Sequence, residues 1–117
     1  MTVAAVREAL AATVLTPGRE TAAPLRGAIA SDMMSDVLTF GASGSLLLTG
    51  STNPQSVRTA ELADIVVICY VQGKRPSPAS VALATEKGIQ LLATDCSLFE
   101  ACGRLHAAGL RGCAPRT

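Results

Sequence analysis

The sequence has few aromatic and few charged residues, and these shortages argue against one class of protein. Aromatic residues make up 3% of the 117 residues, Trp is absent, and the formal net charge is +1. A nucleic-acid-binding domain usually carries a basic stripe and rings that stack on bases. We therefore expect no nucleic-acid partner.

Long apolar runs and metal-binding motifs are also missing. No apolar run approaches the ~20 residues that cross a bilayer. Arg7 and Glu8 interrupt the apolar start of the chain, so we expect neither a membrane span nor a signal peptide. The chain has four cysteines, with no C-x-x-C pair: Cys69, Cys96, Cys102 and Cys113. This spacing predicts reduced thiols in a cytoplasmic protein, with no metal and no cofactor.

Apolar residues are abundant by comparison. They make up 49% of the chain and charged residues only 16%, against ~25% charged in typical soluble domains. This excess leaves more apolar surface than a small monomer hides, so we expect a homodimer or a protein partner. The length predicts one domain, over residues 1–110, followed by a frayed tail at 111–117.

Helix and strand signals alternate along the chain. Apolar residues at helical spacing predict a first helix over residues 2–12, and a short β-branched run follows at 13–16. Predicted strands are short apolar runs, at residues 25–30, 46–49, 65–71 and 89–94. Predicted helices follow each of these strands, at residues 33–40, 54–63, 78–87 and 97–108. The alternation indicates the α/β class, with a small, mostly parallel sheet and flanking helices.

Residues that cap helices stand at the start of the predicted helices. They are Ser31 and Asp32, Asn53 before Pro54, Ser77 before Pro78, and Ser97 with Glu100 three residues later. Ser, Asp and Asn accept the free amides of a first turn, and Ser97 with Glu100 matches a capping box. Gly88 ends the helix at 78–87 as a C-cap.

The turns after parallel strands meet at one edge of a sheet, where ligands usually bind. Helix N-termini at that edge attract anions. The candidate ligand-binding residues lie in these turns: Thr49, Gly50, Thr52, Asn53, Gly73, Lys74, Arg75 and Thr94. The ligand would be an adenine nucleotide or another phosphate or anion. Alternatively these residues are caps and turns only, since the turn after residue 49 matches neither phosphate-binding glycine motif.

No catalytic set emerges from the sequence. His106 has no partner that would make it a base, and Cys69 lies within an apolar strand, which predicts a core thiol. Asp32 and Asp36 share a helix face, and such a pair either holds a cation or divides into one cap and one solvated residue. We predict no catalytic residue and no metal site.

The helix at residues 33–40 is unusually apolar for a surface element. Met33, Met34 and Val37 are predicted interface residues, because Met-rich faces suit adaptable contacts. Packing of the same residues in the core of the chain is the alternative.

Four stretches together resemble the DRTGG domain. They are A-S-D-M-M-S-D-V-L-T-F, G-S-L-L-L-T-G-S-T-N-P-Q-S-V-R-T-A, V-Q-G-K-R-P and L-L-A-T-D-C-S-L-F-E-A-C-G-R-L, and the resemblance covers residues 3–110. It implies a fold similar to the N-terminal domain of HPr kinase/phosphorylase. It also implies a regulatory, dimer-forming module, of the kind that accompanies phosphotransacetylases and lies between CBS repeats in some pyrophosphatases.

Stand-alone domains of this kind are encoded beside hydrogenase-related redox proteins, which implies a link to that metabolism. The sequence departs from the family name at two places. Thr52 and Asn53 stand where the family has Asp-Arg, and Val71, Gln72 and Gly73 stand where it has Thr-Gly-Gly. Only Gly73 carries over.

Three functions follow as hypotheses. The first is a non-catalytic, homodimeric regulatory or protein-interaction module. The second is a sensor of a nucleotide or other anion at the carboxyl edge of the sheet. The third is a phosphotransfer accessory enzyme, although the P-loop of HPr kinase lies in that enzyme's other domain and has no counterpart in this sequence.

Overall fold

The computed structural model describes residues 1–18 and 20–113. These residues form ten elements in chain order: α1 (Val3–Leu10), β1 (Thr13–Val14), β2 (Ala28–Ala30), α2 (Met34–Phe40), β3 (Leu46–Thr49), α3 (Gln55–Leu62), β4 (Val67–Tyr70), α4 (Pro78–Lys87), β5 (Gln90–Ala93) and α5 (Leu98–Ala107). No described helix is both long and apolar enough to cross a membrane.

The strands form one sheet in the order β1-β5-β4-β3-β2. Strands β2 to β5 are parallel and lie side by side in chain order, and β1 pairs antiparallel with β5 at one edge. This arrangement confirms the predicted α/β class and the mostly parallel sheet.

Two apolar layers cover the sheet, one on each face. Leu46 and Leu48 of β3 pack with α1 and α5, whereas Leu47, which points the other way, packs with α2, α3 and α4. Strands β3 and β4 are buried along their whole length. Such burial on both faces explains why these strands read as unbroken apolar runs.

Local signals fix the ends of α4 as predicted. Ser77 Oγ accepts the amide of Ser80 at 3.2 Å, and Pro78 occupies the first helical position. Gly88 ends the helix at φ +73°, a left-handed conformation that favours glycine.

The predicted strand over residues 25–30 is shortened to β2. Leu25 and Arg26 donate their amides to the carbonyls of Met1 and Gly44, at 2.7 and 3.0 Å, instead of to a neighbouring strand. Their backbone therefore belongs to loops.

The segment predicted to fray lies partly beside β2. The amide of Ala28 donates to Arg111 O at 3.0 Å, and Cys113 donates back to Ala28 O at 2.8 Å. Residues 111–113 thus extend the edge of the sheet, and residues 114–117 lie outside the described residues.

Candidate functional site

The carboxyl edge of the sheet brings together the four turns that the sequence indicated. The turns follow β2, β3, β4 and β5, and the paired ends of neighbouring strands set them side by side. The predicted ligand-binding residues all lie in or beside these turns. Whether they bind a ligand depends on which of their polar groups are already engaged within the chain.

A carboxylate of the chain occupies the first turn. Asp32 Oδ1 accepts the amide of Gly50 at 2.7 Å and the hydroxyl of Thr49 at 2.9 Å. We call this group of three residues the Asp32 clasp. It ties the turn after β2 to the turn after β3, so the donors predicted for a ligand anion already bind an anion of the chain itself.

The expectation that Asp32 caps α2 is therefore wrong. Its side chain reaches across to the neighbouring turn, and Ser31 Oγ instead accepts the amide of Met33 at 3.0 Å. The alternative in which Asp32 and Asp36 hold a cation together has no support either, because Asp32 Oδ1 accepts the hydroxyl of Thr49 and the amide of Gly50. Among the described residues, no group of three or more His, Cys, Asp or Glu side chains is arranged to hold a metal ion.

Charges of both signs border the clasp. A methyl group added at Gly50 would lie 3.5 Å from Lys74 Nζ and 3.6 Å from both carboxylate oxygens of Asp32. A methyl group added at Gly73 would lie 3.1 Å from Asp95 Oδ1. Because carboxylates stand beside the cations, the edge lacks the uniform positive potential that holds a phosphate.

Two helix starts at this edge carry the predicted side-chain caps. Ser77 caps α4, and Ser97 Oγ accepts the amide of Glu100 at 3.1 Å to cap α5. The prediction for α3 is wrong, because Pro54 and not Asn53 is its N-cap, although Asn53 Oδ1 still accepts the amide of Gln55 at 2.9 Å in the turn before the helix. The capping box is only half formed, because the carboxylate of Glu100 contacts Arg104 Nε at 3.4 Å.

Two of the predicted ligand-binding hydroxyls are buried. Thr94 Oγ1 donates to the carbonyl of Leu10 at 2.7 Å and accepts the amide of Cys96 at 3.2 Å. Thr49 accepts the amide of Ser51 besides donating to Asp32. Neither threonine is available to a ligand, because both hydroxyls hold the fold together.

Four of the predicted ligand-binding residues are exposed at this edge. They are Asn53 in the turn after β3 and Gly73, Lys74 and Arg75 in the turn after β4, whereas Thr52 is half-buried. The backbone turns sharply here, with φ +62° at Gln72 and +69° at Gly73. This turn presents two cations without any side-chain ion pair among the described residues.

The predicted interface residues have different surroundings. Met33 is 62% exposed, Met34 is half-buried against the core, and Val37 is fully buried in it. Val37 therefore packs within its own chain and cannot meet a partner. Phe40, which was not among the predicted interface residues, is 58% exposed at the end of α2.

The two side chains considered for chemistry lie away from this edge. Cys69 is fully buried, as predicted, and burial raises its pKa to about 12. His106 is exposed on α5, where Arg111 Nη1 lies 3.3 Å from its Nε2. His106 and Arg111 border a groove of about 530 Å³ between α5 and β2 that no motif in the sequence indicated.

Comparisons with known proteins give a likeness of fold. No family model matches the chain, and no curated protein matches it in sequence. A solved structure that it resembles contains the CBS and DRTGG domains of the regulatory region of Clostridium perfringens pyrophosphatase, complexed with the activator diadenosine tetraphosphate. The TM-score is 0.71 at 15% identity, over 89% of this chain and 45% of that chain.

The chain thus spans less than half the length of that structure. At 15% identity the likeness shows the fold alone, and it supports the DRTGG-like fold that the sequence predicted.

Proposed function

We propose that this chain is a DRTGG-family, non-catalytic regulatory module that self-associates through α2. Its main support is that most hydrogen-bonding groups at the carboxyl edge of the sheet are already engaged within the chain, by the Asp32 clasp and by side chains at the helix starts. The likeness to a regulatory region supports the same reading. A link to redox or hydrogenase-related metabolism rests on the sequence resemblance alone.

The proposed contact surface is one flank of α2. Met33 directly precedes α2 and Phe40 is its last residue, and both side chains are more than half exposed. A second copy of the chain is the proposed partner, because a twofold interface sets the same apolar patch against itself. Self-association would also cover part of the apolar excess of the sequence.

Sedimentation velocity over a wide range of protein concentration tests this surface. The wild type should sediment as a dimer at high concentration, and the double variant Met33→Glu/Phe40→Glu should remain a monomer. Phe99→Glu is the matched control, because Phe99 is 86% exposed and lies on α5, against the opposite face of the sheet. A monomeric wild type at all concentrations, or a dimer that survives the double substitution, would refute the proposal.

A second candidate function is a sensor of a nucleotide or another phosphate. It is favoured by Lys74 and Arg75, which are exposed beside the Asp32 clasp, and by the activator bound in the similar structure. A phosphate that uses the Gly50 amide would first have to displace the Asp32 carboxylate. No specific observation favours the phosphotransfer role.

Thermal unfolding with and without millimolar adenine nucleotides and inorganic phosphate tests the sensor. A ligand at ~100 times its dissociation constant adds ~2.7 kcal/mol to the free energy of unfolding, a rise in Tm of roughly 5–20 °C for a domain of this size. A sensor requires such a rise, together with its loss in Arg75→Ala. An unchanged Tm with every compound of the panel would exclude the sensor function and leave the regulatory contact module as the proposed function.

A further inference from the structure

The groove between α5 and β2 exists because the two faces of the sheet are covered unequally. Three helices cover one face, but only α1 and α5 cover the other. Helix α5 lies against β3 and α1, which leaves the β2 end of this face without a helix of its own. The open space has a volume of about 530 Å³, within the range of ~300–1,000 Å³ typical of small-molecule sites.

The lining of the groove is apolar along its length and positively charged at one end. Its walls are formed by β2, β3, α5 and the segment that follows α5: Ala28, Ala30, Leu48, Phe99, Cys102, Gly103, Leu105, His106, Ala107, Leu110, Arg111 and Gly112. These residues include no Asp or Glu. The cationic end consists of Arg111, whose guanidinium is always charged, beside His106 at 3.3 Å.

Arg111 has no acidic partner among the described residues. The three ion pairs of this part of the chain involve other side chains. A guanidinium presents a planar fork of donors that matches a carboxylate. The groove therefore offers an apolar channel for a hydrocarbon body and one set of donors for an anionic head.

We propose that this groove binds a small amphiphilic carboxylate, with its carboxylate on the guanidinium of Arg111 and its apolar body along Ala30, Leu48 and Leu105. Charge complementarity selects this occupant, because an all-apolar molecule would not use the cationic end and a cationic amphiphile would be repelled there. The site lies on the face of the sheet opposite α2, so it does not depend on the proposed self-association.

Titration calorimetry with sodium decanoate, below its micelle concentration, tests the proposal. Decanol and decyltrimethylammonium have the same apolar tail with a neutral and a cationic head. Decanoate should bind at one saturable site, decanol at least about tenfold more weakly, and the cation should not bind. Arg111→Gln should weaken decanoate binding by a similar factor and leave decanol binding unchanged.

Gly103 provides a matched pair of variants inside the groove. A methyl group added there meets no atom within 4 Å, and both Ala and Leu favour a helix over Gly. Gly103→Leu should fill the groove and abolish binding, whereas Gly103→Ala should preserve it. Circular dichroism of both variants confirms that the fold is intact.

The thiol of Cys102 provides a second readout, because this half-buried residue lines the groove. Decanoate should slow alkylation of Cys102 and leave that of Cys113 unchanged. Equal binding of the three amphiphiles, or binding that survives Gly103→Leu, would overturn the proposal. So would a dimer that dissociates in Gly103→Leu but not in Gly103→Ala, since the occupant would then be a second copy of the chain.

Discussion

Replacing Asp32 by Ala removes the carboxylate that joins two turns at the carboxyl edge. The variant loses a hydrogen bond of 2.7 Å to the amide of Gly50 and one of 2.9 Å to the hydroxyl of Thr49. The hydroxyl of Thr49 is fully buried and would lose its acceptor. Asp32→Ala should therefore destabilise the fold.

The magnitude follows from the chemistry of the two bonds. A hydrogen bond to a charged group contributes ~1.5–3 kcal/mol, and an unsatisfied buried polar group costs ~1–3 kcal/mol. Asp32 itself is exposed, so water replaces part of what its carboxylate loses. We expect a loss of ~2 kcal/mol for Asp32→Ala and less than ~1 kcal/mol for Asp32→Asn, which keeps an acceptor oxygen.

Urea unfolding followed by circular dichroism measures this loss. With a slope of ~1–3 kcal/mol per molar urea, the midpoint should fall by roughly 1 M in Asp32→Ala. Asp36→Ala is the matched control, because Asp36 is an exposed carboxylate in the first turn of α2, and its removal should cost ~0.5 kcal/mol or less. In a double-mutant cycle, Asp32→Ala with Thr49→Val should show coupling of about 1 kcal/mol.

Equal losses of stability in Asp32→Ala and Asp36→Ala would show that the Asp32 clasp does not stabilise the fold. So would additive effects in the double-mutant cycle, since additivity would mean that the carboxylate and the buried hydroxyl do not stabilise each other.

Three further predictions concern the core and one turn. Tyr70→Phe leaves the buried Ser56 hydroxyl without its partner, because Ser56 Oγ lies 2.8 Å from Tyr70 Oη in the core. The substitution should lower the free energy of unfolding by ~1–2 kcal/mol, measured with urea, and adding Ser56→Ala should recover most of this loss. If the second substitution recovers nothing, the two hydroxyls do not stabilise each other. Burial raises the pKa of Cys69 from 9.0 to about 12. Above pH 9 the unfolded chain therefore releases a proton that the folded chain keeps, so stability should fall with pH up to about 12, by at most ~1.4 kcal/mol per pH unit. The fall should be shallower in Cys69→Ala, and equal pH slopes would exclude this thiol as the cause. Gly73→Ala should lower Tm more than Gly88→Ala. Both glycines have positive φ, but only at Gly73 would the new methyl group crowd a neighbouring atom, Asp95 Oδ1. Equal decreases in Tm would show that Asp95 moves away from the methyl group at no cost.

The sequence predicted most of the fold because its signals are local. Strand β3 and helix α4 begin and end at the predicted residues, since burial on both faces produces an unbroken apolar run and Ser77, Pro78 and Gly88 mark the helix ends. Strand β2 was predicted too long, because the amides of Leu25 and Arg26 find distant carbonyl partners that no local pattern encodes.

The candidate site was predicted less well, because its contacts join turns that are far apart in sequence. Asp32 precedes a helix and so resembles a cap, but it contacts a turn 17 residues further along the chain. Thr94 stands at the expected edge, but its hydroxyl faces the carbonyl of Leu10, 84 residues away. In the short helix α2, spacing alone could not tell that Val37 faces the sheet.

We propose that this domain acts through contact of its α2 surface with a second copy and not through a ligand at the carboxyl edge. Hydrogen exchange measured by mass spectrometry tests both parts, at low and high protein concentration and with or without millimolar ATP. Self-association through α2 should raise the protection of residues 33–40 as protein concentration rises, while ATP should leave the exchange of residues 50–53 and 72–75 unchanged. If ATP protects the carboxyl edge and the exchange of α2 does not change with concentration, the domain is a ligand sensor and not a contact module.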